Sequence, residues 1–172
     1  MVEPSLYLRR FSCRRFHRDP VEESQLAFIL EAARWAPSAG NLQPWRFLVV
    51  RDQPTKEALA LSAYRQKFVS SHAPVVIVAC AVAEESARNY GTRGASLYCL
   101  QDTAAAVENI LLAATELGLG SCWVGAFDEG AAARALNLPD GWRPVAMIPI
   151  GRPAESAPAR VRRPLSEVTV WR

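Results

Sequence analysis

Residues 93–117 read RGASLYCLQDTAAAVENILLAATEL, and their reading decides the fold. From Thr103 onward, only Glu108, Asn109, Thr115 and Glu116 interrupt an apolar girth. The spacing predicts one long helix, closed by Gly118 where a C-terminal glycine belongs. A helix that is apolar on nearly every side has to be covered on nearly every side. A chain of 172 residues has little material to do this alone, so a subunit interface is expected over part of the helix.

Working outward, Pro74–Val82 (PVVIVACAV) is an unbroken apolar run and predicts a strand buried on both faces. Pro144–Ile150 reads the same way, and Trp45–Val50 (WRFLVV) and Cys122–Ala126 read as shorter strands. Residues 21–35 carry Leu26, Ile29, Leu30 and Ala33 at helical spacing and end at Pro37. Residues 54–71 and 129–136 are further helix candidates, and Leu165–Trp171 alternates like a closing strand after the proline-broken segment 152–164. Helices and strands mix without strict βα alternation. The expected class is therefore α+β, in a single domain spanning 1–172.

Half of the residues are hydrophobic and 22% charged, which permits a core and excludes wholesale disorder. The net charge of +3 argues against a protein that lives on phosphate-backbone electrostatics alone. The cysteines at 13, 80, 99 and 122 form no C-x-x-C pair, and Cys80 and Cys122 sit in apolar runs as small core residues. The start MVEPSLYLRRFSCRRF has no apolar leader and no stretch is long enough to span a membrane, so a cytoplasmic protein with reduced thiols is expected. His17 and His72 have no ligand-spaced partners, and no metal site is expected.

Four stretches carry candidate chemistry. Residues 9–18 (RRFSCRRFHR) hold five arginines and a serine. Arg10, Ser12 and Arg14 share a face if extended, and Arg10 and Arg14 share one if helical. Two guanidiniums and a hydroxyl suit a phosphate, although a solvated basic face or, with Phe11 and Phe16 interleaved, a nucleic-acid surface fits the same residues. Residues 36–45 (APSAGNLQPW) place Ser38, Asn41 and Gln43 in a turn-rich loop whose amides match the edge of a planar heterocycle, or serve only the loop. In GLGSCWVGAFD the glycines follow a helix and precede a strand, the wrong order for a dinucleotide loop. Gly125 and Ala126 there can offer backbone N–H groups to a ligand. IPIGRP ends a buried strand in Gly151 and Arg152, a modest anion contact. No nucleophile elbow, P-loop or acid pair is present, which favours a cofactor that carries the chemistry itself.

Together these stretches resemble the short members of the FMN-dependent nitroreductase family, over nearly the whole chain. The RxSxRxF pattern appears as Arg10, Ser12, Arg14 and Phe16, and PSxxNxQPW as Pro37, Ser38, Asn41, Gln43, Pro44 and Trp45. The apolar helix and PVAMIPIGRP complete it. The resemblance implies a mostly antiparallel central sheet flanked by helices, in an intertwined homodimer with two FMN molecules at its interface. It implies that Arg10, Ser12, Arg14 and Arg152, with Phe11 and Gly151 beside them, hold the phosphate and ribityl end. Ser38, Ala39, Asn41 and Gln43 would approach the ring from the other subunit. Gly125 and Ala126 would lie near its N5, and Gln66 near its pyrimidine edge. Phe11 and Ala39 replace side chains that are polar in many members. NADH or NADPH would be the donor and a nitroaromatic, quinone or flavin the acceptor, in ping-pong turns. Dehalogenation or flavin fragmentation on the same fold, and a non-enzymatic nucleic-acid-binding module, are the alternatives.

Overall fold

The computed structural model describes residues 5–172; the expectation about the leaderless start falls partly on residues 1–4, outside the described residues. In chain order come helix α1 (Leu6–Arg9), α2 (Glu23–Arg34), strand β1 (Trp45–Val50), α3 (Gln53–Ser62), α4 (Phe68–Ser71) and β2 (Val75–Val82). Then follow α5 (Ala83–Arg93), a π-turn at Gly94–Tyr98, α6 (Cys99–Glu116), β3 (Gly120–Ser121), α7 (Glu129–Ala135), β4 (Trp142–Gly151) and α8 (Leu165–Val168). Local caps fix several boundaries. Asp52 accepts from the Thr55 N–H at 2.9 Å to start α3, and Asp128 from the Ala131 N–H at 2.7 Å to start α7.

The strands form one sheet in the order β1-β2-β4-β3, each adjacent pair antiparallel. All of β2 is buried, because the sheet is covered on both faces. Val75, Ile77 and Ala79 of β2 face a core shared with α2 and α6, with Ile29, Ile110 and Ile148 at its centre. Val76, Val78 and Cys80 face the other core, shared with α3, α7, Cys13 and Phe16. Each fully buried Ile or Val here contributes roughly 1.5–3 kcal/mol of transfer free energy.

The long-helix expectation needs one correction. The helical path begins at Ala83 rather than 93, and it breaks at Gly91 (φ 55°) before the π-turn. Within one chain Ala106, Val107, Ile110, Leu111, Ala113 and Ala114 of α6 are buried. Gln101, Glu108 and Glu116 are exposed, and Leu100, Ala104, Ala105, Asn109, Leu112 and Thr115 keep partial solvent contact.

Three other expectations change. The helix over 54–71 is split, because Tyr64 and Arg65 take left-handed φ values of 54° and 62° between α3 and α4. Cys122–Ala126 is not a strand; only Gly120–Ser121 pairs with β4, with a single bridge from Val124 to Met147 beyond it. The tail forms one helical turn at Leu165–Val168 rather than a strand, and Val161, Leu165, Val170 and Trp171 are exposed. An alternating segment becomes a strand only where an edge accepts its hydrogen bonds, and among the described residues no strand pairs with the tail.

No described helix is long and apolar enough to cross a membrane.

Candidate functional site

The Arg-rich segment takes the extended alternative. Ser12 bridges Ser121 in parallel, the Cys13 N–H donates to the Ser121 carbonyl at 2.9 Å, and Phe16 bridges Pro153. Cys13 and Phe16 are the buried anchors, while Ser12 and Arg14 stay exposed beyond β3. The backbone there is gripped from far along the chain. One Glu155 oxygen accepts from the N–H groups of Arg14 (2.6 Å) and Arg15 (3.2 Å). Arg160 donates to the carbonyls of Leu8 (2.8 Å) and Arg10.

The side chains differ in their freedom. The Arg10 guanidinium is half-buried, with Nε 3.7 Å from Glu108. Arg14 lies 5.8 Å from the centre of the Phe68 ring and has no carboxylate within ion-pair distance among the described residues. Arg152 is exposed and pairs with Asp19 at 2.5 Å. Phe11 is half-buried against the core shared with α3 and α7. Gly151 is buried, and a Cβ there would stand 2.6 Å from Pro74 Cδ and 3.2 Å from Phe16 Cβ. Gly151 thus packs inward, whereas Phe11 keeps one face on a surface cleft with Gly118, Leu119 and Gly120.

Gly125 and Ala126 are exposed, and neither N–H has a partner among the described residues. Gln66 Nε2 donates to the Ala126 carbonyl at 3.2 Å, which braces the backbone immediately after these two N–H groups. Gln66, Phe68, Arg14, Ser12 and the Gly125–Ala126 peptide thus border one side of the β3 edge.

The Ser38–Gln43 loop lies elsewhere. Gly40, Asn41 and Gln43 have φ values of 58°, 56° and 53°, a conformation costly for the two non-glycine residues. Ser38 Oγ accepts from the Gln43 N–H at 3.0 Å, and Gln43 Nε2 donates to the Asn41 carbonyl at 3.1 Å. Asp102 Oδ1 accepts from the Ala39 N–H at 3.1 Å. At Gly40 a Cβ would stand 2.7 Å from the Tyr90 hydroxyl, so glycine lets α5 approach the loop. Burial pushes the Asp102 carboxyl above its ordinary 3.8, partly offset by the Ala39 hydrogen bond.

The loop enters β1 at Trp45, opposite Ala81, whereas Ser121 pairs with Ile150, opposite Val75. The two positions differ by three strand spacings and six residues of rise, roughly 25 Å on the diagonal of the sheet. One chain does not bring Ser38–Gln43 to the Arg14 edge.

The donor set at that edge fits a flavin mononucleotide. A free guanidinium, a second one beside it and an exposed hydroxyl suit its phosphate, and two unpartnered amides suit polar atoms on a ring. Burial pushes the Cys13 thiol up to about 11 and raises Cys122, so the nearby sulfurs stay protonated and unreactive.

The nitroreductase family model matches residues 7–152. The chain belongs to the nitroreductase family. Its relatives include a Thermus thermophilus protein named NADH dehydrogenase, 37% identical, covering 96% of this chain and 93% of its own. An Archaeoglobus fulgidus protein, whose name pairs NADH dehydrogenase with NAD(P)H nitroreductase, is 34% identical over 87% of this chain and 84% of its own. A Rhodospirillum rubrum protein named 5,6-dimethylbenzimidazole synthase is 29% identical over 90% of this chain and 83% of its own. The solved nitroreductase family protein of Streptococcus pneumoniae superposes with a TM-score of 0.88 at 27% identity, covering 97% of this chain and 98% of its own. The α+β nitroreductase-like fold with its antiparallel sheet is thereby shown.

Sequence reasoning missed Glu155, Arg160, Phe68 and Asp102. None carries a local signal. Each matters through a partner between 54 and 152 residues away.

Proposed function

We propose that this chain is an NAD(P)H-dependent FMN oxidoreductase that works as a homodimer. The observation that carries the reading is the Arg14 edge, where a free guanidinium and unpartnered backbone amides lie side by side. The names of the relatives support the nicotinamide donor, and family membership supports the flavin.

In this reading Arg14, Ser12 and Arg10 bind the FMN phosphate, and Arg152 joins them on leaving or sharing Asp19. The Gly125–Ala126 amides, braced by Gln66, orient the ring at its N5 side. Ser38, Ala39, Asn41 and Gln43 of a second copy close the site, which one chain leaves about 25 Å open by the strand geometry. The exposed tail residues Val161, Leu165, Val170 and Trp171 then pack on that copy. When bound, FMN supplies acceptance and donation of hydride, so donor and acceptor use one pocket in turn. Nitroaromatics, quinones and free flavins fit an open edge with no built-in acid or base. The protein contributes position and electrostatics only.

The test is reconstitution. Protein freed of flavin and mixed with FMN should turn yellow, retain the flavin through gel filtration, and oxidise NADH or NADPH with parallel lines for varied acceptor. A folded protein indifferent to FMN at every concentration overturns the reading.

The relative named 5,6-dimethylbenzimidazole synthase favours a second reading, flavin fragmentation on the same fold. Loss of FMN with appearance of a benzimidazole product, rather than acceptor-dependent NAD(P)H consumption, would select it.

A further inference from the structure

Arg18 ends the arginine cluster but shares no cleft with the residues of the Arg14 edge. It lines a cleft of about 360 Å³ with Lys56 of α3, Ser70 and Ser71 of α4, and His72 and Pro74 ahead of β2. No carboxylate lines this cleft. Arg18 has no ion-pair partner among the described residues, and the nearest acid in sequence, Asp19, is engaged by Arg152 at 2.5 Å.

Lys56 is the unusual member. Its side chain is buried, with the residue 6% exposed. The ammonium donates to the Ala73 carbonyl at 2.9 Å and, at the long limit of 3.5 Å, to the Pro74 carbonyl. Its third N–H has no acceptor among the described residues, and no carboxylate stands within ion-pair distance. Desolvation lowers its pKa, with the Asp52 charge opposing. A buried ammonium without a counterion is costly, and an anion seated beside it offsets that cost. Ser70 and Ser71 donate their hydroxyl protons to the Lys67 carbonyl and supply walls rather than donors.

We propose that the Arg18–Lys56–His72 cleft binds the phosphate group of a small molecule, at a site separate from the Arg10–Arg14 edge. Guanidinium and ammonium together give a fork and a point charge, the pairing that holds a tetrahedral dianion. The volume exceeds that of a bare phosphate and leaves room for part of an organic body. The site stands whether or not the flavin reading holds.

The chain has two histidines, so His72 is a clean reporter. In phosphate-free buffer, its ring resonances are followed by NMR during addition of inorganic phosphate and, separately, adenosine 2′-monophosphate, with a His72→Gln sample for assignment. A saturable shift with a midpoint at millimolar concentration or below is expected. Arg18→Gln, on an exposed side chain, should raise the midpoint at least tenfold while leaving FMN retention unchanged, and Arg14→Ala should leave the midpoint unchanged. Lys56→Gln should abolish saturation; if it does not fold, Arg18→Gln carries the test. A lower midpoint for the ester assigns a phosphorylated metabolite as the occupant, and equal midpoints assign free phosphate. A shift that is absent or non-saturating, that survives Arg18→Gln, or that vanishes in Arg14→Ala overturns the proposal.

Discussion

The Asp102 carboxylate meets the Ala39 N–H at 3.1 Å across 63 residues of sequence, and its second oxygen is buried without a partner. This contact ties the first buried turn of α6 to a loop that holds three residues in left-handed conformations. Asp102→Ala should cost about 1–3 kcal/mol by leaving a donor unsatisfied and the loop untethered. Asp102→Asn, which keeps an acceptor, should cost less. The raised pKa means that the native state binds the proton more readily than the unfolded chain does. The contribution of Asp102 to stability should therefore grow as pH falls from above its raised value towards 3.8. Urea unfolding of the three proteins against pH checks both statements, and an Asp102→Ala protein as stable as the parent contradicts the tether.

Glu31 works with the opposite sign. Hydrogen bonds from Arg34 and Trp35 hold its carboxyl down at about 2, against an ordinary 4.5. Its contribution is present above 4.5 and fades as pH falls from there towards about 2. Glu31→Gln should flatten that part of the acid unfolding profile, and an unaltered profile would remove the pair from the acid response.

Arg14 and Arg152 should not be equal in flavin retention. Arg14 has no acid partner among the described residues, whereas Arg152 must leave or share Asp19. Arg14→Ala should weaken FMN binding by about 1.5–3 kcal/mol, the loss of a charge-assisted bond, and Arg152→Ala by less. Fluorescence titration of FMN measures both. Unchanged affinity in the double variant would take both residues out of the site.

Gly120 lets β3 approach the Arg-rich segment. A Cβ at 120 would stand 2.7 Å from Cys13 Sγ and 2.8 Å from Cys13 Cβ. Gly120→Ala should destabilise by roughly 1–3 kcal/mol through overpacking and should loosen FMN by shifting Ser12 and Arg14. A variant with parent-like melting and parent-like FMN affinity would show that the edge does not depend on this approach.

Assembly is tested by sedimentation. A dimer at micromolar concentration is expected, with flavin retained only by the dimer. A flavin-loaded monomer would contradict completion of the site by a second copy.

Much of this was legible because the signals are local. The runs at Trp45–Val50, Pro74–Val82 and Pro144–Ile150 become strands β1, β2 and β4, since continuous β-branched residues fit a sheet covered on both faces. Cys122–Ala126 and Leu165–Trp171 misled because strand formation needs an edge, which periodicity does not supply. Tyr64 and Arg65 gave no warning of their left-handed turn, since nothing in either side chain favours it.

The amino-acid order by itself determined which residue types lie together along the chain: the RxSxRxF run, the PSxxNxQPW loop and the apolar helix, and through them the family. These are matters of spacing, and covalent connectivity sets spacing. Only the tertiary structure decided that Arg14 is free among the described residues while Arg152 is paired, that Gly151 packs inward, and that Arg18 faces a cleft of its own. It also decided that the Ser38–Gln43 loop and the Arg14 edge lie near opposite corners of one sheet. Pairing and burial are set by which strands become neighbours, and that choice is made by long-range packing of the two cores rather than by any local stretch.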